Sequence, residues 1–503
     1  MFDLLIKNGM ILDGTGCDGF VADIGIRDGK IVAIDTNLAG AKQVIDAEGL
    51  TVTPGFIDSH SHSDSTALPY PLQAEKAEQG ITTSIAGQCG STPNPKRVGD
   101  NILTMGALMD GIEATPQGSH IATFVGHGAL RKTVMGMDNR DPSPSELEMM
   151  KGLLREAMEA GALGVSFGLI YTPSCYSKTE ELIALAKVAG EMGGMIAAHI
   201  RDERDLVIEA VQEFITIART AGVRGVISHH KACQTQNHGK VKTTLAMIEK
   251  ANREGCDIYC DVYPYIASAT SLAATFVPKE YNNGQLVANV QDPQLRAQFE
   301  ARNLEKFGPD VSWVQLLTCT AYPAYTGLRI DEAAALHGKG QYDTVFDIIA
   351  AQPSCQAAFF SMCEEDVKTV MGWERAMICT DSGVAGKKIS YHPRLRGSFP
   401  RVLGRYVREQ QVTTLPEMIR KMTSLPAHVY GLSTKGRIAE GMDADLCIFD
   451  AETIIDKAEF TAPHHRAEGL YFVIVDGVIA VKNAVATGER NGKLLRRTNK
   501  IGK

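Results

Sequence analysis

The chain has 503 residues, of which 44% are hydrophobic and 22% charged, an ordinary globular composition that can bury a large core. The net charge of −8 excludes the basic footprint of a nucleic-acid-binding protein, and no apolar run approaches the roughly 20 residues of a membrane-spanning helix. Eleven cysteines, an odd number, disfavour a disulfide framework. We therefore expect a cytoplasmic protein with reduced thiols and with no nucleic-acid or membrane partner.

The first fifty residues predict short strands joined by tight turns. DLLIKNGMILDG and ADIGIRDGKIVAID alternate in hydrophobicity and contain the NG and DG pairs that are typical of hairpins. The same pattern returns in GRIAEGMDADLCIFD (436–450) and LYFVIVDGVIAVKNAV (470–485). Residues 1–54 and 431–503 are therefore predicted to form one small β-sandwich beside a central domain.

The middle of the chain alternates between short apolar runs and stretches of helical periodicity. The candidate strands are TVTPGFID (51–58), ITTSIAG (81–87), HIATFVG (120–126), LGVSFGL (163–169), GMIAAH (194–199), RGVISH (224–229), CDIYCDVY (256–263) and AMICTD (376–381). Eight strand–helix units predict an α/β fold, a (β/α)8 TIM-type barrel over residues 55–430, with its active site at the carboxyl ends of the strands. The long gap between strands seven and eight predicts an inserted subdomain at about 280–345, a candidate lid.

Potential metal ligands follow the first two predicted strands. His60 and His62 close the first strand, and side chains two residues apart point to the same side, so both can reach one ion. Cys89 follows the second strand between Gly87 and Gly90, where glycines allow close approach. A buried structural cysteine is the alternative interpretation of Cys89.

Further candidates end three later strands. His199 ends the fifth strand in AAHIRDE, and His229 ends the sixth in SHHK. One such histidine is more often structural, but two beside an HxH pair and a cysteine indicate a metal site. Asp381 ends the eighth strand, where a carboxylate can accept a proton from metal-bound water and return it to a leaving group, although TDSG also suits a helix N-cap. Asp58 is a candidate to orient a ligand histidine.

These motifs resemble the amidohydrolase superfamily and, from end to end, the N-acyl-D-amino-acid deacylase (D-aminoacylase) family. The shared landmarks are LLIKNGMILDGTG, GFIDSHSHSD, AGQCGSTPNP, VGHGALR, HIRDE, ISHHKA, DVYPY, TDSG, HPRLRGSFPRVLG and KGRIAEGMDADLCIFD. The resemblance implies a zinc-dependent hydrolase whose small-molecule substrate is an N-acyl-D-amino acid. Its products would be a carboxylate and a free D-amino acid.

The resemblance also implies roles for the candidate ligands. Cys89, His199 and His229 would hold one tightly bound zinc. His60, His62 and Asp381 would form a second, weaker position, while metal-bound water attacks the amide carbon and Asp381 shuttles the proton. Many members of the superfamily instead bridge two metals with a carboxylated lysine at strand four, and ALGVSFGL contains no lysine.

Five residues are predicted to bind the substrate. Arg394 in HPR resembles the carboxylate-binding arginine of the family, and its planar fork suits that role. Tyr171 and Lys231 match family positions that face the substrate, and Tyr265 and Ser268 are further candidates. For Arg394, Tyr171 and Lys231 the alternative is a surface salt bridge or a packing tyrosine.

Two other functions stay open at this point. A cyclic amidohydrolase (hydantoinase or dihydroorotase) or an isoaspartyl dipeptidase is the enzyme alternative, which Cys89 and the missing lysine disfavour. A catalytically inactive barrel scaffold is the non-enzyme alternative, which the complete set of six candidate ligands disfavours. The sequence does not determine whether the D-amino acid has a neutral or an acidic side chain, which acyl group is removed, or whether one or two metals bind. It also leaves the oligomeric state open, and a homo-oligomer is possible in principle.

Overall fold

The computed structural model describes residues 1–384, 392–498 and 501. The strands, in chain order, are β1 (Phe2–Ile11), β2 (Phe20–Arg27), β3 (Lys30–Asp35), β4 (Ala41–Asp46), β5 (Thr51–Pro54), β6 (Phe56–Asp58), β7 (Ile81–Ala86), β8 (Lys96–Val98), β9 (Asn101–Leu103), β10 (His120–Thr123), β11 (Val125–Gly126), β12 (Gly164–Gly168), β13 (Met195–His199), β14 (Gly225–Ile227), β15 (Ile258–Val262), β16 (Ser268–Ser271), β17 (Val314–Thr318), β18 (Gln356–Phe359), β19 (Ala376–Ile378), β20 (Leu446–Phe449), β21 (Leu470–Val475), β22 (Val478–Lys482) and β23 (Val485–Ala486).

The helices are α1 (Ala74–Ala77), α2 (Met105–Glu113), α3 (His127–Met135), α4 (Pro144–Glu159), α5 (Thr179–Glu191), α6 (Val207–Ala221), α7 (Lys240–Arg253), α8 (Leu272–Phe276), α9 (Leu286–Gln291), α10 (Pro293–Phe307), α11 (Ile330–His337), α12 (Gln341–Ala351), α13 (Glu364–Gly372), α14 (Arg394–Arg401), α15 (Leu415–Met422) and α16 (Ser424–Tyr430). Helix α14 continues as a π-helix over Val402–Glu409, and short 3-10 turns cover Ser63–Ser65, Ser174–Tyr176, Thr235–Asn237, Lys279–Tyr281 and Pro323–Tyr325. Within the described ranges, no helix is long and apolar enough to cross a bilayer.

The predicted barrel strands form two parallel sheets, ordered β10–β7–β6 and β11–β12–β13–β14–β15–β19. The run 120–126 belongs to both sheets, because β10 pairs with β7 and β11 pairs with β12. At the opposite junction, Ser61 and Ser382 form a parallel bridge, and the amide of Asp381 donates to the carbonyl of His60 at 3.0 Å. The eight predicted strands thus follow one another in barrel order, in two sheets rather than in one continuous sheet.

Burial on both faces explains the sequence pattern of these strands. Every residue of β12, β13, β14 and β15 is buried, so the strands appear as continuous apolar runs rather than as alternating ones. Helices cover the outer face. Helix α4 begins with a capping box between Ser143 and Glu146 and has Pro144 at its first position, and α6 ends at Gly222 in the left-handed conformation.

The predicted first strand, 51–58, is two strands, because the chain changes sheets at Gly55. The amide of Gly55 donates to the carbonyl of Asp445, whereas the amide of Phe56 donates to the carbonyl of Gly80. A Cβ atom at Gly55 would lie 2.3 Å from the side chain of Thr82, so only glycine fits this crossing.

Strands from both ends of the chain build one nine-stranded sheet. Its order is β23–β22–β21–β20–β5–β1–β2–β3, and β4 pairs with β1. Leu4, Ile24, Val52, Ile448 and Ile474 belong to the apolar core of this region. Full burial of each such side chain contributes about 1.5–3 kcal/mol.

The segment between β15 and β19 has its own sheet and its own core. Strands β16, β18 and β17 are antiparallel neighbours, and α8 to α12 lie in the same segment. Leu272, Phe276, Phe299 and Phe346 belong to its separate apolar cluster. The inserted elements run from Ser268 to Phe359, beyond the predicted 280–345, because β16 and β18 pair with each other and both belong to this sheet.

Candidate active site

Four potential ligands meet at the carboxyl ends of the parallel strands. His60, Cys89, His229 and Asp381 are buried, and each offers one donor atom within 4.8 Å of the others. The Cys89 Sγ atom lies 3.4 Å from Nε2 of His60 and 3.4 Å from Nε2 of His229. Asp381 Oδ1 lies 3.4 Å from Nε2 of His60. A sulfur atom, two ring nitrogens and a carboxylate oxygen therefore converge on one point.

The other two predicted ligands adjoin this group. Nδ1 of His199 lies 3.8 Å from Cys89 Sγ, and the rings of His199 and His229 are 4.5 Å apart between centroids. Nε2 of His62 lies 3.3 Å from Asp381 Oδ1, and the His62 side chain is 32% exposed. The structure brings all six predicted ligands together, with His62 at the rim.

A glutamate that the sequence did not single out contacts two of these imidazoles. Glu203 Oε1 lies 3.0 Å from Nδ1 of His229, and Oε2 lies 3.5 Å from Nε2 of His199. The Nζ atom of Lys231 donates to Glu203 at 2.5 Å and lies 2.8 Å from Nδ1 of His229. A carboxylate on the far nitrogen of a metal-binding histidine orients the ring and raises its basicity. The HIRDE motif contains Glu203, four residues after His199, and was the available signal.

Three of the convergent residues have an unusual backbone conformation. Cys89, His229 and Asp381 have φ angles of 53°, 37° and 48°. Left-handed conformations at residues other than glycine cost of order 1–3 kcal/mol each and persist only where the surroundings fix them. The Cys89 backbone is held in place by close contact with the backbone of β12. The contact is so close that a Cβ atom at Gly168 would lie 1.9 Å from the Cys89 carbonyl oxygen.

The protonation of the convergent groups suits a metal ion. Burial lowers the pKa of His199 to about 3 and that of His60 well below its usual value, so both rings are in the neutral form that binds metals. Burial, with the charge of Asp381, raises the pKa of the Cys89 thiol well above its usual value. A thiolate at this position therefore requires a cation beside it. Thiolate, imidazole and carboxylate together are a zinc donor set, and these residues fit that ion.

Asp381 is paired with the predicted carboxylate-binding arginine. The NH1 group of Arg394 donates to Asp381 Oδ2 at 2.7 Å. Burial alone would raise the pKa of Asp381, but Arg394 and the imidazoles of His229, His62 and His60 hold it well below its usual value. Asp381 is consequently an ionised carboxylate, able to accept a proton.

A cavity of about 620 Å³ opens onto these groups. Arg394, Tyr171, Lys231 and Ser268 are among the residues that line it. Tyr171 accepts a hydrogen bond from Thr270 at 3.3 Å. Four of the five predicted substrate-binding residues therefore lie on the cavity wall.

Tyr265, the fifth, is not among the lining residues. It is buried, with its ring 5.4 Å from that of His392, and its hydroxyl has no hydrogen-bond partner among the described residues. Tyr263 lines the cavity instead, with Lys231 5.5 Å and Arg394 5.4 Å from its ring centroid. Tyr263 lies two residues after Asp261, whose carboxylate accepts the amide of His229 at 2.6 Å, so both side chains point towards the site.

Asp58 does not orient an imidazole. Its carboxylate accepts from Lys76 Nζ at 2.8 Å and from the Thr380 hydroxyl at 2.7 Å, and it contacts only the backbone amide of His60. Asp58 and Lys76 are both fully buried. Both members of this ion pair also hydrogen-bond to Thr380, which follows β19, and so hold the end of β6, with His60, beside Asp381.

The family model described as "Amidohydrolase family" matches residues 43–269 and 372–481, more than half of the chain. The chain belongs to the amidohydrolase family. The unmatched stretch between the two ranges contains most of the inserted elements of this amidohydrolase.

Full-length relatives confirm the resemblance to N-acyl-D-amino-acid deacylases. The amidohydrolase is 35% identical to a D-aminoacylase of Alcaligenes xylosoxydans xylosoxydans, over 99% of this chain and 98% of the relative. It is 36% identical to an N-acyl-D-glutamate deacylase of the same organism, over 99% and 97%. The crystal structure of N-acyl-D-glutamate deacylase from Bordetella bronchiseptica, with zinc and a phosphonate inhibitor, superposes with a TM-score of 0.86 at 33% identity, over 98% of this chain and 99% of that one. The fold is thus that of the amidohydrolases, of the TIM-barrel type.

Proposed function

We propose that this amidohydrolase hydrolyses the amide bond of N-acyl-D-amino acids and releases a carboxylate and a free D-amino acid. The observation that carries the proposal is the meeting of Cys89, His60, His229 and Asp381 at a cavity that Arg394 also lines. The activities named for the two curated relatives support this substrate class.

The proposed cofactor is zinc. Cys89, His199 and His229 would hold one ion tightly, and His60, His62 and Asp381 would form a second, weaker position. The position of Cys89 supports its role as a ligand, because its sulfur lies within 3.8 Å of a ring nitrogen of His60, His199 and His229 and can share an ion with any of them. A zinc ion bound there would lower the pKa of a water molecule and would polarise the scissile carbonyl.

The residues of the chain would position the substrate and move the proton. Asp381 takes a proton from the attacking water and returns it to the nitrogen of the leaving D-amino acid. The planar guanidinium group of Arg394 can donate two parallel hydrogen bonds to the α-carboxylate of the substrate. Lys231, Tyr171 and Ser268 would provide further polar contacts. The pairing of Arg394 with Asp381 keeps that carboxylate ionised, the form that a proton acceptor must have.

We also propose that a closed barrel, a β-sandwich and a lid surround the site. Residues 55–430 would form one closed (β/α)8 barrel, with the bridge between Ser61 and Ser382 as part of its closure. Residues 1–54 and 431–503 would form the β-sandwich, and the inserted segment would act as a lid. None of the eleven cysteines, all of them in the described ranges, is in a disulfide, which supports a cytoplasmic location.

A substrate panel tests this function. Purified protein is assayed on N-acetyl-D- and N-acetyl-L-amino acids with aliphatic, aromatic, acidic and basic side chains, and on a hydantoin and dihydroorotate. We expect the D series to exceed the L series by about 100-fold or more in kcat/KM, with activity lost on chelation and restored by zinc. Preference for a cyclic compound would identify a cyclic amidohydrolase. Inactivity on every compound, with much less than one zinc per chain, would identify a scaffold.

A further inference from the structure

The cavity is cationic although the protein is acidic. Among the described residues that line it, eight are lysine or arginine and three are aspartate or glutamate, in a chain with a net charge of −8. Three of these cations, Arg204, Arg302 and Lys306, form what we call the outer cation cluster. Arg302 and Lys306 belong to α10 of the inserted segment, and Arg204 lies in the loop between β13 and α6.

The outer cation cluster differs from the two cations beside the candidate metal ligands, Arg394 and Lys231, by its lack of acidic partners. Arg394 pairs with Asp381 at 2.7 Å and Lys231 with Glu203 at 2.5 Å. In the described part of the chain, no carboxylate oxygen lies within 4.0 Å of a side-chain nitrogen of the cluster. The side chain of Arg302 donates only to the neutral side chain of Asn303, at 3.3 Å, among the described residues.

Arg204 is the most constrained member of the cluster. Its Nε atom is buried and has no hydrogen-bond partner among the described residues. The nearby carboxylate of Asp202 is engaged elsewhere, because it accepts the backbone amides of Arg204 and Leu206. A buried guanidinium nitrogen without a partner is costly, and an acceptor brought by a ligand would remove that cost.

The three cations also repel one another. Arg302 and Lys306 are four residues apart on α10, a spacing that places like charges side by side on one helix face. Arg204 and Lys306 lie 5.6 Å and 5.5 Å from the centroid of the same ring, that of Phe307. Burial lowers the pKa of Arg302 and of Lys306, and the charge of Arg204 lowers both further. Glu280 opposes this effect on Arg302, and Asp202 and Asp205 oppose it on Lys306. An anion among the three would relieve the repulsion.

The outer cation cluster begins beside the candidate metal centre. Arg204 directly follows Glu203, which contacts the imidazoles of His199 and His229. We propose that the outer cation cluster binds a second carboxylate of the substrate, in addition to the α-carboxylate assigned to Arg394. This inference rests on the proposed function, and it makes N-acyl-D-amino acids with two carboxylates the preferred substrates. The second carboxylate belongs either to the D-amino-acid side chain or to a dicarboxylic acyl group.

Two matched substrate pairs distinguish these sources. N-acetyl-D-glutamate is compared with N-acetyl-D-glutamine, and N-succinyl-D-leucine with its succinamide analogue. We expect the wild type to prefer the dicarboxylate of one pair by about 10-fold or more in kcat/KM, the range of one charge-assisted hydrogen bond. The pair that shows the preference identifies the source of the second carboxylate.

Variants of the cluster then test its role. In Arg302→Gln/Lys306→Gln the preference should fall to about 3-fold or less, through KM rather than kcat. Lys306→Glu should reverse it in favour of the neutral analogue and provides a second, independent variant. Lys242→Gln is the matched control, because Lys242 is an exposed lysine on α7 that is not among the lining residues. It should keep the wild-type preference.

Two results would overturn the inference. One is a wild type that uses neither dicarboxylate better than its neutral analogue, and the other is a preference that survives in the double variant. A wild type that hydrolyses none of the four compounds would instead contradict the proposed function, so the two failures are distinguishable.

Discussion

The inner end and the outer wall of the same cavity carry their charges in different ways. At the inner end each cation has an acidic partner, Arg394 with Asp381 and Lys231 with Glu203. On the outer wall, Arg302 and Lys306 have no such partner among the described residues. Paired charges are fixed in position before the substrate arrives, which is what catalysis of one reaction requires. Unpaired charges gain a partner only when an anion binds, which suits selection among substrates.

The largest expected effect is at the inner end, in Asp381→Asn. The amide keeps the size of the side chain but cannot take a proton from water, so kcat/KM should fall by about 10²- to 10⁴-fold. Zinc content, measured by elemental analysis, should stay near that of the wild type because Cys89, His199 and His229 are unchanged. Cys89→Ala provides the contrast and should lose both zinc and activity. Stoichiometric zinc and full activity in Cys89→Ala would contradict the ligand assignment.

A smaller effect is expected from Glu203→Gln. The substitution removes the negative charge beside the outer nitrogens of His199 and His229, and zinc affinity should fall by about 10- to 100-fold. Competition of the apo-protein with a chromophoric chelator measures this affinity without an activity assay. Glu213→Gln is the matched control, because Glu213 pairs with Arg201 at 2.8 Å. Equal zinc affinity in Glu203→Gln and the wild type would show that Glu203 does not support the ligands.

The smallest expected effect is at the outer wall of the cavity, and a change of ionic strength tests it without any substitution. Raising the ionic strength from 0.01 M to 1 M shortens the Debye length from about 30 Å to about 3 Å. We expect kcat/KM for an anionic substrate to fall by about 10-fold, since screening weakens steering by partly exposed cations. The value of kcat should change little, because the inner pairs are buried. An equal fall in kcat would contradict the separation of the two regions.

The sequence predicted the regular part of the molecule well. Short apolar runs located the strands of the parallel sheets, because strands buried on both faces need continuous apolar residues. It also predicted that His60, Cys89, His199, His229 and Asp381 converge, since residues that follow parallel strands lie at one end of the fold.

The features that the sequence did not predict depend on loops and on distant contacts. Glu203 meets His199 and His229 only through the path of the loop after β13. Tyr263, rather than Tyr265, lines the cavity because the alternation of β15 continues to Tyr263 and the chain then turns, with the amide of Tyr265 donating to the carbonyl of Tyr263. Asp58 was predicted to orient a ligand histidine, but its carboxylate instead forms an ion pair with Lys76 of α1.

The pairing of β5 with β20 has a consequence for the order in which the protein is built. Thr53 and Cys447 are paired partners across this contact although 394 positions separate them in the chain. While the protein is being synthesised, β5 therefore has an open hydrogen-bonding edge until β20 emerges, long after the parallel strands have been made. The nine-stranded sheet can therefore close only after every barrel strand has been synthesised and is available to fold.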